Sequence, residues 1–257
     1  MSAVLRRQLA DRRRVLATWA LAVAAVGLFY MLLWPSIDDT LAKTVQSYPE
    51  ALRQAFGITA LSTPEQFLNT ELFSLMLPLV LGVFAGRRIA ATITGAQEHG
   101  YLDVLLSAPI SRRALAATAL AETAIEVAVI LGIGVVGTVI GALIAGVHLD
   151  AGRMVAGYAN LWPLAMFTAG VAMLVTGISR HASVVTGVSS GVLVAMYIAD
   201  LLGRLTGGDE WLRHLSVFRY YGSAAVDGLD PLDVAGVTLA AVALAVAGTI
   251  LFERRDL

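Results

Sequence analysis

Six long, mostly apolar stretches decide what this chain can fold into. A helix needs roughly 20 predominantly apolar residues to cross a bilayer. Stretches of that kind fall at about 15–34, 72–93, 114–145, 155–178, 182–199 and 234–252. The whole chain is 58% hydrophobic and only 14% charged, where soluble domains sit nearer half and a quarter. The expected fold is all-α: a polytopic membrane protein with six transmembrane helices, forming one domain over residues 1–257.

The first span follows Arg6, Arg7 and Arg12 to Arg14, as a signal peptide would. A secretory apolar region is only about 7–15 residues long. This run is longer and passes Ala22-Val23-Ala24 without a polar cleavage region, so it is expected to remain as a helix. Residues 3–13 mix basic and apolar side chains. An elbow helix lying on the inner membrane surface and a solvated basic tail both fit that mixture.

Charge orients the spans. With six crossings both termini share a side, and the segments on that side carry 12 arginines and lysines against 6 on the other. Acidic residues show the opposite bias. The positive-inside rule therefore puts both termini in the cytoplasm. Lys43 is the only lysine beside seventeen arginines, a bias expected of a GC-rich bacterial genome, so the membrane is expected to be a bacterial plasma membrane.

Several chemistries are not expected. The chain has no cysteine, which removes disulfides and thiolate metal sites. His99, His148, His181 and His214 are scattered without ligand spacing, so no metal site is expected. No G-x-x-x-x-G-K-[ST] stretch occurs, so there is no P-loop to cradle a nucleotide. Gly132 to Gly137 reads G-x-G-x-x-G, but it lies inside an apolar helix pattern with no strand before it. Close helix packing is the expected role. Gly137-x-x-x-Gly141 and Gly187-x-x-x-Gly191 are spacings that let membrane helices approach, either within one subunit or between two. The basic residues follow topology and form no soluble patch, so nucleic-acid binding is not expected.

Charges near the membrane are the usual candidates for function. Glu122 and Glu126 stand one helical turn apart near the inner boundary. A pathway entrance or proton site is one reading; a cytoplasmic helix foot meeting water or arginines is the favoured one. Asp200 sits at the outer end of its span, where reaching water costs little. Pro163 lies inside the fourth span, as a kink or as a position tolerated among packed neighbours.

One polar segment stands apart. Residues 97–113 lie between the second and third spans. The helix expected from near Ser111 to near Ala145 would extend about 50 Å at 1.5 Å per residue, beyond the roughly 30 Å hydrocarbon core. Its first three turns would project into the cytoplasm or its headgroup layer. The second span likewise continues past the bilayer through residues 89–96. Between them Tyr101, Leu102, Leu105 and Leu106 share one helical face. Pro109 ends that short helix, and Ser111 is placed to cap the next one. A docking helix and an amphipathic loop resting on headgroups both fit.

The pattern Glu98, Gly100, Leu102, Leu105, Leu106, Pro109, Ser111 and Arg112 resembles the cytoplasmic loop of ABC-2 type transporter permeases. The stretch Leu215 to Tyr221 before the last span, Phe252 to Leu257 after it, and Ser62 to Phe73 at the second span are similar to the same family. The likeness covers nearly the whole chain. Tyr101 stands where the family often has threonine, and the lysine often found after the Pro-x-Ser-Arg stretch is missing. The resemblance implies a permease subunit of an ATP-binding cassette exporter, without an ATPase site or cofactor of its own. Two copies of a separate ATP-binding subunit would carry ATP and Mg. A coupling helix between the second and third helices would dock on that subunit through Tyr101, Leu102, Leu105 and Leu106, with Glu98, Asp103, Arg112 and Arg113 setting register.

Six spans make half a translocation unit, so a second copy or a sibling permease is expected. A pathway lined mainly by apolar residues would suit a hydrophobic or amphipathic cargo such as a drug, natural product or lipid. Before the last span, residues 204–232 mix aromatics and arginines. The resemblance implies that this region, with Trp211, Phe218, Tyr220 and Tyr221, forms short re-entrant helices that help close the outer mouth; an interfacial aromatic belt with no gating role fits as well. The rival readings are a secondary transporter or channel working without an ATPase, and a membrane enzyme. The first needs ionisable residues well inside the spans and the second a polar cluster at one face.

Overall fold

The structure is a computed structural model that describes residues 3–46, 63–98, 111–206 and 210–254. Helices account for nearly all of these residues, and no strand occurs among them. Among the described residues six helices are long and apolar enough to cross a membrane. They are α1 (Ala3–Gln46), α2 (Pro64–Glu98), α3 (Arg112–Ala145), α4 (Ala151–Thr176), α5 (Ala182–Thr206) and, after the short α6 (Glu210–His214), α7 (Val217–Tyr221) and α8 (Ala224–Asp227), α9 (Pro231–Arg254). The six expected spans are all present. The chain is thus an all-α, multi-pass membrane protein.

Local sequence explains most of the boundaries. Basic residues 3–13 and the first span form one unbroken helix rather than a separate elbow. Neither glycine nor proline interrupts residues 3–26, so nothing there breaks the hydrogen-bond ladder. At the start of α2, Thr63 Oγ1 accepts from Gln66 N at 3.3 Å, with Pro64 in the first turn where its missing N–H costs nothing. Ser111 caps α3 as expected, accepting from Ala114 N at 3.2 Å. Gly146 ends α3 in the left-handed region at φ 68°, which suits a residue without Cβ. Pro163 is buried within a continuous α4, so packed neighbours tolerate it there.

Within α2 the helix widens twice, over Asn69–Met76 and Ala90–Thr94, into π geometry. Periodicity gives no sign of either. In the first, Ser74 Oγ donates to the Asn69 carbonyl at 2.7 Å, five residues back, and Pro78 just beyond lacks the N–H that would continue the ladder.

The bundle is built around α4, which packs on α2, α3, α5 and α9. In α4, 72% of the most apolar window is buried, against 22% in α1 and 17% in each of α5 and α9, so those three form the rim. Lipid tails are as apolar as leucine, so close contact rather than water exclusion holds such helices together. Glycine allows it. A Cβ on Gly141 would sit 2.7 Å from the Leu28 carbonyl oxygen, and one on Gly137 would overlap the Ala24 backbone, so α1 and α3 touch main chain to main chain. The α4–α9 contact repeats this: a Cβ on Gly170 would lie 2.7 Å from the Ala241 oxygen, and one on Gly248 2.5 Å from Leu174 N.

Aromatic pairs fix the relative direction of the first two helices. Trp19 stacks near Phe84 at 5.2 Å and Trp34 near Phe67 at 5.3 Å, so α1 and α2 run antiparallel. The arginine-bearing start of α1 therefore lies at the same end as Arg87 and Arg88 of α2. Contacts of α3 with Phe252 and Glu253 bring the end of α9 there too.

The glycine contacts make a direct prediction. Gly137→Ala should lower stability by about 1–3 kcal/mol through overpacking against α1, read as a lower thermal midpoint of the detergent-purified protein. Gly132→Ala, where a Cβ meets nothing within 4 Å, should leave the midpoint unchanged or raise it.

Candidate functional site

Helix ends converge at the arginine-rich end, and their polar side chains tie them together. Arg88 on α2 grips Glu126 on α3 in a two-pronged pair, Nε to Oε2 at 2.5 Å and Nη2 to Oε1 at 2.6 Å. Both side chains are only 16% and 15% exposed, so solvent screens the pair weakly. Trp162 on α4 donates its indole N–H to the Ala124 carbonyl at 3.0 Å, fastening the same stretch of α3 to the central helix. Thr94 and Thr176 hydroxyls meet at 3.4 Å between α2 and α4.

The residues bracketing the polar segment are anchored inside the chain. Glu98 Oε1 accepts from Ala182 N at 3.1 Å at the start of α5, and lies 3.4 Å from His181 Nδ1. Arg112 reaches the last carbonyls of α9, donating to Phe252 O at 3.4 Å and Glu253 O at 3.3 Å, while Arg113 pairs with the Glu253 carboxylate. A cation at a helix C-terminus is favoured by the partial negative charge there. Of the expected docking residues, the structure thus places Glu98, Ser111 and Arg112. Gly100, Tyr101, Leu102, Asp103, Leu105, Leu106 and Pro109 lie outside the described residues. The Arg88–Glu126 pair was not anticipated as such, although an arginine partner for Glu126 was. Sequence offers only two opposite charges near one boundary, without naming the pairing.

At the opposite end the short helices fold back onto the bundle. Asp200 is buried rather than reaching water, because α5 continues past it and α6 returns over it. Arg204 Nη2 holds one of its oxygens at 2.6 Å and Arg213 Nε the other at 3.4 Å. The Asp200-x-x-x-Arg204 spacing, one helical turn, was the available clue. Phe218 and Tyr221 of the aromatic group are buried, whereas Trp211 and Tyr220 are exposed. Phe218 packs on Tyr197 of α5 at 5.3 Å, and Asn160 of α4 donates to the Tyr221 carbonyl at 2.5 Å. Burial pushes the Tyr221 phenol up from its ordinary pKa, so it stays neutral.

Two of the open surfaces bear on function. Along α5, a Cβ on Gly187 or Gly191 would meet nothing within 4 Å, and Val184, Val188, Val194 and Ile198 are exposed beside them. Unlike Gly137 and Gly141, these glycines pack on no described neighbour. A groove of about 610 Å³ runs between α3, α4 and α9, from Arg113 and Glu253 to Trp162 and Thr238. A second hollow of about 450 Å³ continues it past Trp162 toward Val155.

The ion pair between α2 and α3 is open to test. Glu126→Gln keeps the shape but leaves the Arg88 charge poorly compensated, and should cost about 3 kcal/mol in the thermal stability of the purified chain. The exchange Arg88→Glu with Glu126→Arg should recover most of that loss.

A comparison with curated proteins found no match. A family model described as "Multidrug efflux system permease Rv1217c, C-terminal domain" matches residues 7–253, nearly the whole length and all six spans. The chain belongs to this family of multidrug efflux system permeases.

Proposed function

We propose that the chain is the membrane subunit of an ABC-2 type exporter, driven by a separate ATP-binding subunit and moving hydrophobic or amphipathic compounds such as drugs. The observation that carries this reading is how the buried charges are occupied. Among the described residues, Glu65 and Asp200 are buried, and the Arg88–Glu126 pair is mostly so. Glu65 accepts from Asp150 N at 3.0 Å, Asp200 is held by two arginines, and Arg88 and Glu126 hold each other. A carrier driven by protons or ions needs an ionisable group free to load and unload along its path. Energy is better supplied from outside, which disfavours a secondary transporter or channel.

The convergent helix ends give that energy a place to enter. Residues 99–110 connect α2 and α3, which Arg88 and Glu126 lock together. In this reading the segment is a cytoplasmic coupling helix, and both termini are cytoplasmic. Its apolar face, Tyr101, Leu102, Leu105 and Leu106, seats in a groove on the ATPase, where ATP and Mg reside. Closure of two ATPase subunits pushes the locked pair as a lever, and the bundle rocks as a rigid body. A second copy, or a sibling permease, meets the open glycine face of α5, and cargo crosses between the two halves.

Two measurements follow. In proteoliposomes with the ATP-binding partner, Leu105→Glu should abolish both co-purification of the ATPase and ATP-dependent efflux, while the chain alone stays folded. Cargo movement by the lone chain under a proton gradient would overturn the reading. Gly187→Leu combined with Gly191→Leu should shift the permease pair to single copies in detergent, by light scattering, with little change in the thermal midpoint of the single copy.

A further inference from the structure

The groove between α3, α4 and α9 lies apart from the open α5 face and meets the coupling foot only at Arg113. We propose that it is a lipid site: it holds one acyl chain of an anionic phospholipid from the leaflet at the arginine-rich end, with the phosphate on Arg113. This does not rest on ATP coupling.

Length comes first. The groove follows α9 from Thr238 to Glu253, about 22 Å at 1.5 Å per residue. The hydrocarbon core is roughly 30 Å thick, so the groove runs from the arginine-rich edge past the bilayer midplane. One leaflet is half of that core, about 15 Å deep, so an acyl chain entering from that edge fits within the groove's length, and a volume of about 610 Å³ accommodates it.

Chemistry comes second. The polar side chains along the groove are spent on the protein itself. Thr238 Oγ1 donates to Val234 O at 2.7 Å, Thr249 Oγ1 to Ala245 O at 2.8 Å, and Trp162 Nε1 to Ala124 O at 3.0 Å. Apart from Arg113 and Glu253 at one end, the remaining lining is apolar, including Met166, Val246 and Ile250. A polar occupant finds little to bond, while a hydrocarbon chain loses nothing.

Charge comes third, and it is confined to one end. Arg113 lines the groove mouth with 76% of its side chain exposed. Its guanidinium carries five N–H donors, and Glu253 occupies the Nε edge. Arg112 donates to the Phe252 and Glu253 carbonyls, and the exposed Arg254 follows Glu253 in the chain, so among the described residues three arginines gather at this end around the one glutamate that also lines the mouth. An apolar slot with a cationic mouth at headgroup level matches an anionic amphiphile. A second copy is a poorer occupant: a two-fold axis along the membrane normal would set this basic mouth against its own duplicate.

Trp162 in the groove provides the readout, because bromine on an acyl chain quenches a tryptophan that it touches. The full chain carries four tryptophans; Trp19→Phe, Trp34→Phe and Trp211→Phe leave Trp162 as the reporter. In nanodiscs, mid-chain dibrominated phosphatidylglycerol should quench it at about fivefold lower mole fraction than the matching phosphatidylcholine. One arginine near a membrane surface is worth about that factor. Arg113→Gln should erase the preference, Arg113→Lys should keep it, and Ala245→Phe, which fills the groove, should weaken quenching by both lipids. Equal quenching by the two lipids in the unaltered chain would overturn the proposal, leaving ordinary bilayer lipid on an unselective surface. So would an absence of quenching together with disulfide formation between Val242→Cys copies, which would put a second chain over the groove.

Discussion

Everything in this bundle depends on backbones that come closer than side chains ordinarily permit. Between helices in lipid the hydrophobic effect has little to offer, because leaving a helix for lipid exposes nothing to water. What remains is short-range attraction, which falls off within an ångström of contact. The α1–α3 contact through Gly137 and Gly141 and the α4–α9 contact through Gly170 and Gly248 supply it at main-chain distance. With α1 held on α3, and α9 held on α4, the rim helices acquire fixed positions around a buried centre. The groove and the open α5 face are consequences of that arrangement, since each is a place where no such close contact forms.

The second constraint is electrostatic. A charge below the headgroups is tolerated when another charge or a dipole meets it there. Three carboxylates among the described residues show this, and they divide by position. Glu126 meets Arg88 at the arginine-rich end, while Glu65 and Asp200 are held at the opposite end by a backbone amide and by two arginines. Both ends of the bundle are therefore fastened by ionic or strongly polar contacts, while between them close packing is joined by isolated hydrogen bonds such as that of Thr138 with Tyr158 at 2.8 Å. A bundle of that kind resists fraying where it meets water.

Much of this was legible in the sequence, for reasons that can be named. The six spans follow from apolar run length, which depends on bilayer thickness and not on neighbours. The Ser111 cap and the long reach of α3 follow from local chemistry and helical rise. Gly137 and Gly141 announce close approach by spacing. The same spacing at Gly187 and Gly191 has no partner within the chain, so spacing alone does not tell an internal contact from an external one. Asp200 shows the limit most clearly. Its burial depends on α6 folding back across the end of α5, a long-range event that no window of sequence around it encodes. The π segments of α2 are similar, because a widened turn preserves composition while shifting the register of every side chain beyond it. Residues 99–110, the stretch with the strongest family likeness, lie outside the described residues.

The two open surfaces differ in a way that constrains what can cover them. The α5 face is lined by glycine and valine and carries no charge between Val184 and Ile198, so it offers shape without polarity and suits a copy of itself. The groove beside α9 is concave, is charged at one end, and has its polar atoms already satisfied. A self-complementary contact needs neither a deep slot nor a single charged mouth, and an amphiphile needs both. Assigning the protein partner to α5 and lipid to the groove therefore satisfies each surface with the chemistry it presents. It also leaves α9 in contact with lipid while α5 moves against its partner. Motion at the centre of the pair would then change the width of the lipid slot on its outer flank, so that lipid binding and the rocking of the bundle become coupled through α4.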